Sequence, residues 1–214
     1  MLPLDNVFYL IIIYNIVDWG VVYIKASVIF HSVSGNTYLL AKELYDSLTF
    51  YDIKASIFRV EDDDLDNFYT KYDTVKEFYS EIKSIKIAKP DFLLDSDIIF
   101  FGSPTYFGNI SSEMKAFMDS TGDFWPEARL KGKYIVPFTT AGTCEGGGHL
   151  CLNSINIYGF HMGMIPISLP MDILQGQLPS YGIISYSGDE GNIRPDEKTK
   201  MNIKKFVKYI TEIL

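Results

Sequence analysis

Three stretches of the chain concentrate residues able to do chemistry. The first runs from His31 to Leu44, HSVSGNTYLLAKEL. Ser32, Ser34 and Thr37 supply hydroxyl donors and Gly35 permits a tight turn. Asn36 and Thr37 open a helix whose free N–H groups and dipole favour a negative charge. The stretch is neither a Walker loop nor a GxGxxG turn. A plain helix N-cap is the alternative reading, but a position directly after a strand favours an anion such as phosphate. The second stretch runs from Phe101 to Trp125, FGSPTYFGNISSEMKAFMDSTGDFW. Pro104, Thr105 and Gly108 shape a loop whose backbone can approach a flat ring, and Tyr106 and Phe107 offer flat apolar surfaces beside it. The third runs from Thr139 to Ser154, TTAGTCEGGGHLCLNS. Thr140, Ala141, Gly142 and Thr143 present N–H and hydroxyl donors to the edge of such a ring. Gly146, Gly147 and Gly148 remove side chains where something planar comes close.

The elements that must position these stretches alternate. Strands are expected over Tyr23–Phe30, Ile53–Val60, Asp97–Pro104, Lys133–Thr140 and Met164–Pro170. Pro137 marks a bulge or an unpaired N–H in the fourth. Helices follow each. Leu40, Leu44 and Leu48 form one stripe, and Leu65 to Ile82 carry helical spacing after a solvated EDDD loop. Ile110 to Met118 form the next, then Leu150 to Tyr158. A last helix has proline at its first position and the stripe Thr199, Ile203, Phe206, Val207, Ile210 and Ile213. Residues 171–193 read as a long Gly-, Pro- and Ser-rich loop. Alternation of this kind gives an α/β fold, a doubly wound five-stranded parallel sheet with helices on both faces. Ligands of such sheets sit at the carboxyl ends of the strands, so the loops after the first, third and fourth strands are the ones to watch.

Composition narrows the partners. The chain has 214 residues, 47% hydrophobic and 21% charged, with a net charge of -8. That suits one globular domain over residues 23–214 and argues against nucleic acid. The acidic shell serves solubility, or docking to a basic redox partner. Cys144 and Cys151 form neither a disulfide framework nor a CxxC pair, which fits a cytoplasmic protein. Residues 1–22 form an apolar extension. Its run from Val7 to Val17 is too short to span a bilayer before Asp18 and lacks a signal peptide's basic start. A packed hook is favoured over a membrane anchor, and a mis-assigned start is a third reading. With three histidines and no paired ligand spacing, no metal site is expected. His31 reads as a satisfied strand-end residue. His149 and His161 are better candidates for chemistry.

The first stretch resembles the flavodoxin-family phosphate loop, which holds FMN phosphate with hydroxyls and amides instead of Arg or Lys. GSPTYFGN, with the KAFMD helix behind it, resembles the flavodoxin-like NAD(P)H-dependent reductases. With LKGKYIVPFTTAGT and HMGMIPISLP in the same order, the chain resembles the WrbA-type NAD(P)H:quinone oxidoreductases across most of Tyr23 to Leu214. The resemblance implies FMN as cofactor and NAD(P)H as co-substrate. It also implies a quinone-like acceptor and a homodimer or homotetramer. FMN would be bound by Ser32, Ser34, Gly35, Asn36, Thr37, Pro104, Thr105, Tyr106, Phe107, Gly108, Thr140, Ala141, Gly142, Thr143, Gly146 and Gly147. Trp125 would be an aromatic lid, or else a surface tryptophan. His161, Tyr106 and His149 would serve catalysis. Three departures bear on turnover: Tyr106 replaces a frequent Arg, the GGQE segment is altered at Gly147 to His149, and the second His of a pair is Met162. A flavodoxin-like electron carrier without nicotinamide turnover is the competing reading.

Overall fold

The computed structural model describes residues 24–174 and 180–214. The apolar stretch 1–22, with the hook and anchor readings attached to it, lies outside them. Among the described residues no helix is long and apolar enough to cross a membrane.

The chain alternates as expected. β1 (Lys25–Phe30) leads to α1 (Asn36–Phe50) and β2 (Lys54–Arg59). Three short helices follow: α2 (Leu65–Lys71), α3 (Asp73–Lys76) and α4 (Tyr79–Ser84). Next come β3 (Ile98–Pro104), α5 (Ser112–Asp119), β4 (Tyr134–Ala141), α6 (Gly148–His161) and β5 (Ile165–Pro166). α7 (Met171–Leu174), β6 (Ile183–Tyr186) and α8 (Glu197–Ile213) complete the order. All pairings are parallel and run β2-β1-β3-β4-β5, with β6 also on β4. This is the doubly wound, flavodoxin-like sheet. Its order reverses between β1 and β3, where such sheets bind ligands.

Strand side chains alternate between two cores. Val28, Phe30, Phe100 and Phe138 pack with Leu40, Leu44, Phe206 and Ile210 on the α1 and α8 face. Ile29, Phe101 and Ile135 pack with Met114, Phe117 and Ile155 on the α5 and α6 face. Each fully buried Leu, Ile or Phe contributes about 1.5–3 kcal/mol. Gly102 in β3 is required by this packing, because a Cβ there would stand 2.0 Å from the Phe138 ring.

Four local expectations are corrected. The fifth strand is two pieces on one edge of β4: β5 pairs at Tyr134 and Ile135, β6 at Phe138 to Ala141. Residues 183–186, read as loop, are therefore strand. Pro137 falls opposite the break. Lys133, Ile135 and Ala141 direct their carbonyls to that side, so by alternation Pro137's missing N–H costs no ladder bond. The long helical pattern from Leu65 to Ile82 breaks into α2, α3 and α4, because Tyr72 is extended. In the EDDD run, Asp62 is buried rather than solvated. Pro195 precedes α8, whose N-cap is Asp196; its carboxylate accepts from the Thr199 N–H at 2.8 Å.

Candidate functional site

The loops after β1, β3 and β4 meet at the carboxyl end of the sheet and enclose a cavity of about 390 Å³. Ser32, Ser34 and Thr37 line it from the first loop, Pro104, Thr105 and Tyr106 from the second, Thr140 and Gly142 from the third. Two walls were not foreseen. Phe68, Tyr72 and Val75 come from the α2–α3 region, and Ser187 to Gly191 follow β6. The second wall exists because β6 extends the sheet here: Ser187 and Gly188 donate backbone N–H bonds to the Ala141 and Gly142 carbonyls at 2.8 and 3.0 Å.

The first loop is held from outside. Gly35, the N-cap of α1, has φ +90, and a Cβ on it would lie 2.2 Å from the Phe78 ring. Asn36 is buried and donates to the Gly191 carbonyl at 2.6 Å. Arg194 donates to the Ser34 carbonyl at 2.8 Å and to Asn36 Oδ1 at 3.2 Å, pairs with Glu77, and lies over the Phe78 ring. Asn36 and Arg194 thus shape the loop, and Arg194 adds positive charge beside it. Sequence reasoning missed Arg194, since nothing local ties it to a loop 160 positions earlier.

The second loop is a tight hairpin in which Tyr106 and Asn109 exchange backbone bonds at 2.9 and 3.0 Å. Phe107 and Gly108 at its tip have φ +51 and +73. Positive φ on an aromatic residue is strained, and Phe107 is fully exposed. Burial of its hydroxyl end, helped by the charges of Glu113 and Asp62, pushes the Tyr106 phenol up to about 12. Thr105 is tied inward: its N–H reaches the Thr140 carbonyl at 2.7 Å and its hydroxyl meets that of Thr139 at 2.8 Å.

The remaining sequence-derived candidates scatter around this cavity. Gly147 packs on the second loop, where an added Cβ would lie 2.7 Å from Gly108 Cα, and Gly148 packs on Ile184. Chain packing therefore explains those glycines. Phe107, Gly108, Ala141, Thr143 and Gly146 do not line the cavity. Trp125 is 62% exposed beyond α5, and His149 is exposed on the first turn of α6. His161 ends α6. α6 is 14 residues long with Gly148 at its start, which puts the two about 20 Å apart at roughly 1.5 Å per residue. It lines a separate groove of about 660 Å³ with Ile110, Lys115, Ile157 and Tyr158. His31 is buried beside the cavity. Its Nε2 lies 3.1 Å from Asp62 Oδ2 and its Nδ1 3.6 Å from Glu113 Oε2.

Residues 24–171 match the family of NADPH-dependent FMN reductases. The chain belongs to that family. An NAD(P)H dehydrogenase (quinone) of Archaeoglobus fulgidus is 39% identical over 143 residues, 67% of this chain and 75% of that protein. Another, of Aromatoleum aromaticum, is 30% identical over 199 residues, 88% of this chain and 95% of that protein. In fold, the chain is similar to a WrbA-like flavodoxin of Agrobacterium tumefaciens, with a TM-score of 0.62 at 16% identity over 88% of this chain and 96% of that one. An archaeal flavodoxin follows with a TM-score of 0.57 at 20% identity, covering 89% and 98%. Family and fold make this chain an FMN-binding oxidoreductase.

The residues present fit FMN. Its phosphate needs donors and no competing anion, and α1 begins with neither a capping side chain nor an acidic residue in its first turn. Ser111 caps α5 and Asp196 caps α8, whereas α6 shares the uncapped, acid-free start of α1. The N–H groups of the first turn of α1 therefore meet no side-chain cap, while beside them the Thr37 hydroxyl meets that of Thr140 at 2.8 Å and Ser34 accepts from Asn36 at 3.3 Å.

Proposed function

We propose that this reductase passes electrons from NAD(P)H through FMN to a quinone or a similar small acceptor. The supporting observation is the cavity at the sheet's switch point, with an uncapped helix N-terminus at one end and Tyr106 at the other. Bound FMN would supply the hydride chemistry. Ser32, Ser34 and Thr37 would hold its phosphate, and Gly35 gives the turn its shape. Pro104, Thr105 and Tyr106 would meet its ring from the second loop, and Thr140 and Gly142 from the third. Tyr106 keeps its phenolic proton at neutral pH, so it donates a hydrogen bond to an oxygen of the acceptor. His149 and Phe107, exposed beside the third and second loops, are available to the acceptor rather than to the cofactor, whereas Trp125 follows the far end of α5. Assembly into a homodimer or homotetramer belongs to the same reading. It is supported by Leu150, Ile157 and Phe160, which α6 leaves exposed, and light scattering tests it.

The deciding experiment is stopped-flow mixing of the FMN-loaded protein with NADH and with NADPH, followed by a benzoquinone. Bleaching of the flavin by either nucleotide and its return with the quinone support the proposal. If a low-potential chemical donor reduces the flavin and neither nucleotide does, the chain is an electron carrier.

A further inference from the structure

Beneath the reacting end of the cavity lies a cluster that the proposed function does not use. His31 is 3% exposed and stands between two carboxylates from different elements. Asp62, in the segment after β2, faces Nε2 at 3.1 Å, and Glu113, in the first turn of α5, faces Nδ1 at 3.6 Å. Both His31 Nδ1 and Glu113 Oε2 are buried without a hydrogen-bond partner. A neutral imidazole has one N–H and one lone pair. Carboxylates at both nitrogens leave that lone pair facing an anion. A second ring proton removes the conflict and turns both contacts into attractions, the longer one closing by a small shift or through a water.

The surroundings fit a stored proton better than a metal ion. The three ligand-type atoms lie within 4.8 Å of one another, yet the carboxylates approach opposite nitrogens, so they bracket the ring instead of converging on one point. Asp62 is fixed as an acceptor. Burial raises its carboxyl, but the His31 bond and the Asp64 and Leu65 N–H groups outweigh that and hold it below the usual range. The other charged groups near His31 are Glu61, Asp63 and Asp64, which line an open cleft with Asp62 and Glu113. Buried Arg59 on β2 is turned to the Val60 carbonyl. On the cavity side, Tyr106 lines the wall together with Ser32, the residue that follows His31. The cluster thus lies between the acidic cleft, which Asp62 and Glu113 line, and the cavity, which Ser32 and Tyr106 line.

We propose that Asp62, His31 and Glu113 hold a proton and deliver it through Tyr106 to the acceptor. This rests on the quinone reading of the function. Two-electron reduction of a quinone consumes one hydride, which comes from NAD(P)H by way of the cofactor, and one proton. The Tyr106 O–H bond breaks as the new O–H bond forms on the quinone. Tyr106 regains its proton from the cluster, and the cluster regains one from solvent through the cleft. His31 is a positioning and proton-holding residue. Tyr106 is the group that touches the acceptor.

The test separates this from the nicotinamide reaction by using FMN-loaded protein reduced with stoichiometric dithionite. It is reoxidised with benzoquinone, which takes up protons, or with ferricyanide, which takes electrons only. His31→Gln should slow the benzoquinone reaction by about a hundredfold, the lower end for a lost general acid, and leave the ferricyanide reaction unchanged; Tyr106→Phe should slow the benzoquinone reaction by a similar factor. Reoxidation by benzoquinone should slow in D2O for the wild type and lose that sensitivity in both variants. Nitrogen NMR of the unsubstituted protein, assigned with His149→Gln and His161→Gln, should show hydrogen on both His31 ring nitrogens at about pH 7. The proposal is overturned by one protonated nitrogen at that pH, by equal slowing of His31→Gln with both acceptors, or by stoichiometric binding of added Zn2+ at His31. Failure of NADH and NADPH to reduce the flavin would instead sink the function reading, and these measurements would stand apart from it.

Discussion

The hydroxyls of Thr37 and Thr140 lie 2.8 Å apart, both buried. One belongs to the first turn of α1 and the other to the end of β4, so the bond joins the first loop to the third. On the proposed reading, Thr37 would exchange this neutral bond for one to a phosphate oxygen of FMN. A hydrogen bond to a charged group is worth about 1.5–3 kcal/mol. Thr37→Ala should therefore weaken FMN by roughly ten- to a hundredfold, and Ser34→Ala should act in the same direction. Titration by quenching of flavin fluorescence measures both. Riboflavin, which has no phosphate, should bind wild type and variants alike.

Arg194 gives a second expectation. It holds the Ser34 carbonyl and Asn36 while its own charge is balanced by Glu77. Arg194→Met keeps the aliphatic bulk over Phe78 and removes the donors. FMN affinity should fall by on the order of tenfold, equivalent to about 1.4 kcal/mol. The loss should shrink at high salt, since part of it is charge at the phosphate. The melting temperature of the FMN-free protein should move much less.

How far the sequence foretold this site follows from the distances involved. The β-branched runs of β1, β3 and β4 and the Ser-Gly-Asn-Thr turn carry their meaning within a few residues, and they form as read. β6 has only four residues, between a Gly-, Pro- and Ser-rich segment and Ser187–Gly188, so local pattern gave it to a loop. Arg194 and Asp62 acquire their roles through partners far along the chain, Ser34 and His31. His161 is a candidate through the resemblance of its HMGM stretch, and the length of α6 carries it away from Gly148 toward a separate groove. Gly147 and Gly148 were legible as close-approach positions, and Gly108 and Ile184 approach them.

The His31–Asp62 contact carries a pH signature. Asp62's folded-state carboxyl is held below its ordinary value of 3.8. A depressed carboxyl contributes stability above its unfolded value, and that contribution is lost as pH falls through the folded one. Wild type should thus exceed Asp62→Asn in stability at neutral pH, and the gap should narrow below about pH 4. Urea unfolding of both proteins between pH 3 and 7 reads it. A gap that stays constant across the range would mean that the asparagine variant loses packing and not charge.

The split fifth strand supports the last prediction. β5 and β6 lie on the same edge of β4, and between them the chain leaves the sheet and returns. The two ends of the excursion are already together, since the Leu169 N–H donates to the Ser180 carbonyl at 3.0 Å. A chain cut there needs only a tight turn to close, and shortening a loop whose ends already meet costs little conformational entropy. Replacing residues 171–179 by Asn-Gly, a two-residue turn with the right backbone preference, should leave the sheet and FMN binding intact. The cavity wall from Ser187 to Gly191 is carried by β6 and by its bonds to Ala141 and Gly142, not by the excursion. Circular dichroism and FMN titration of the shortened chain check this. Loss of FMN with the sheet retained would show that the excursion, and not β6, holds that wall in place.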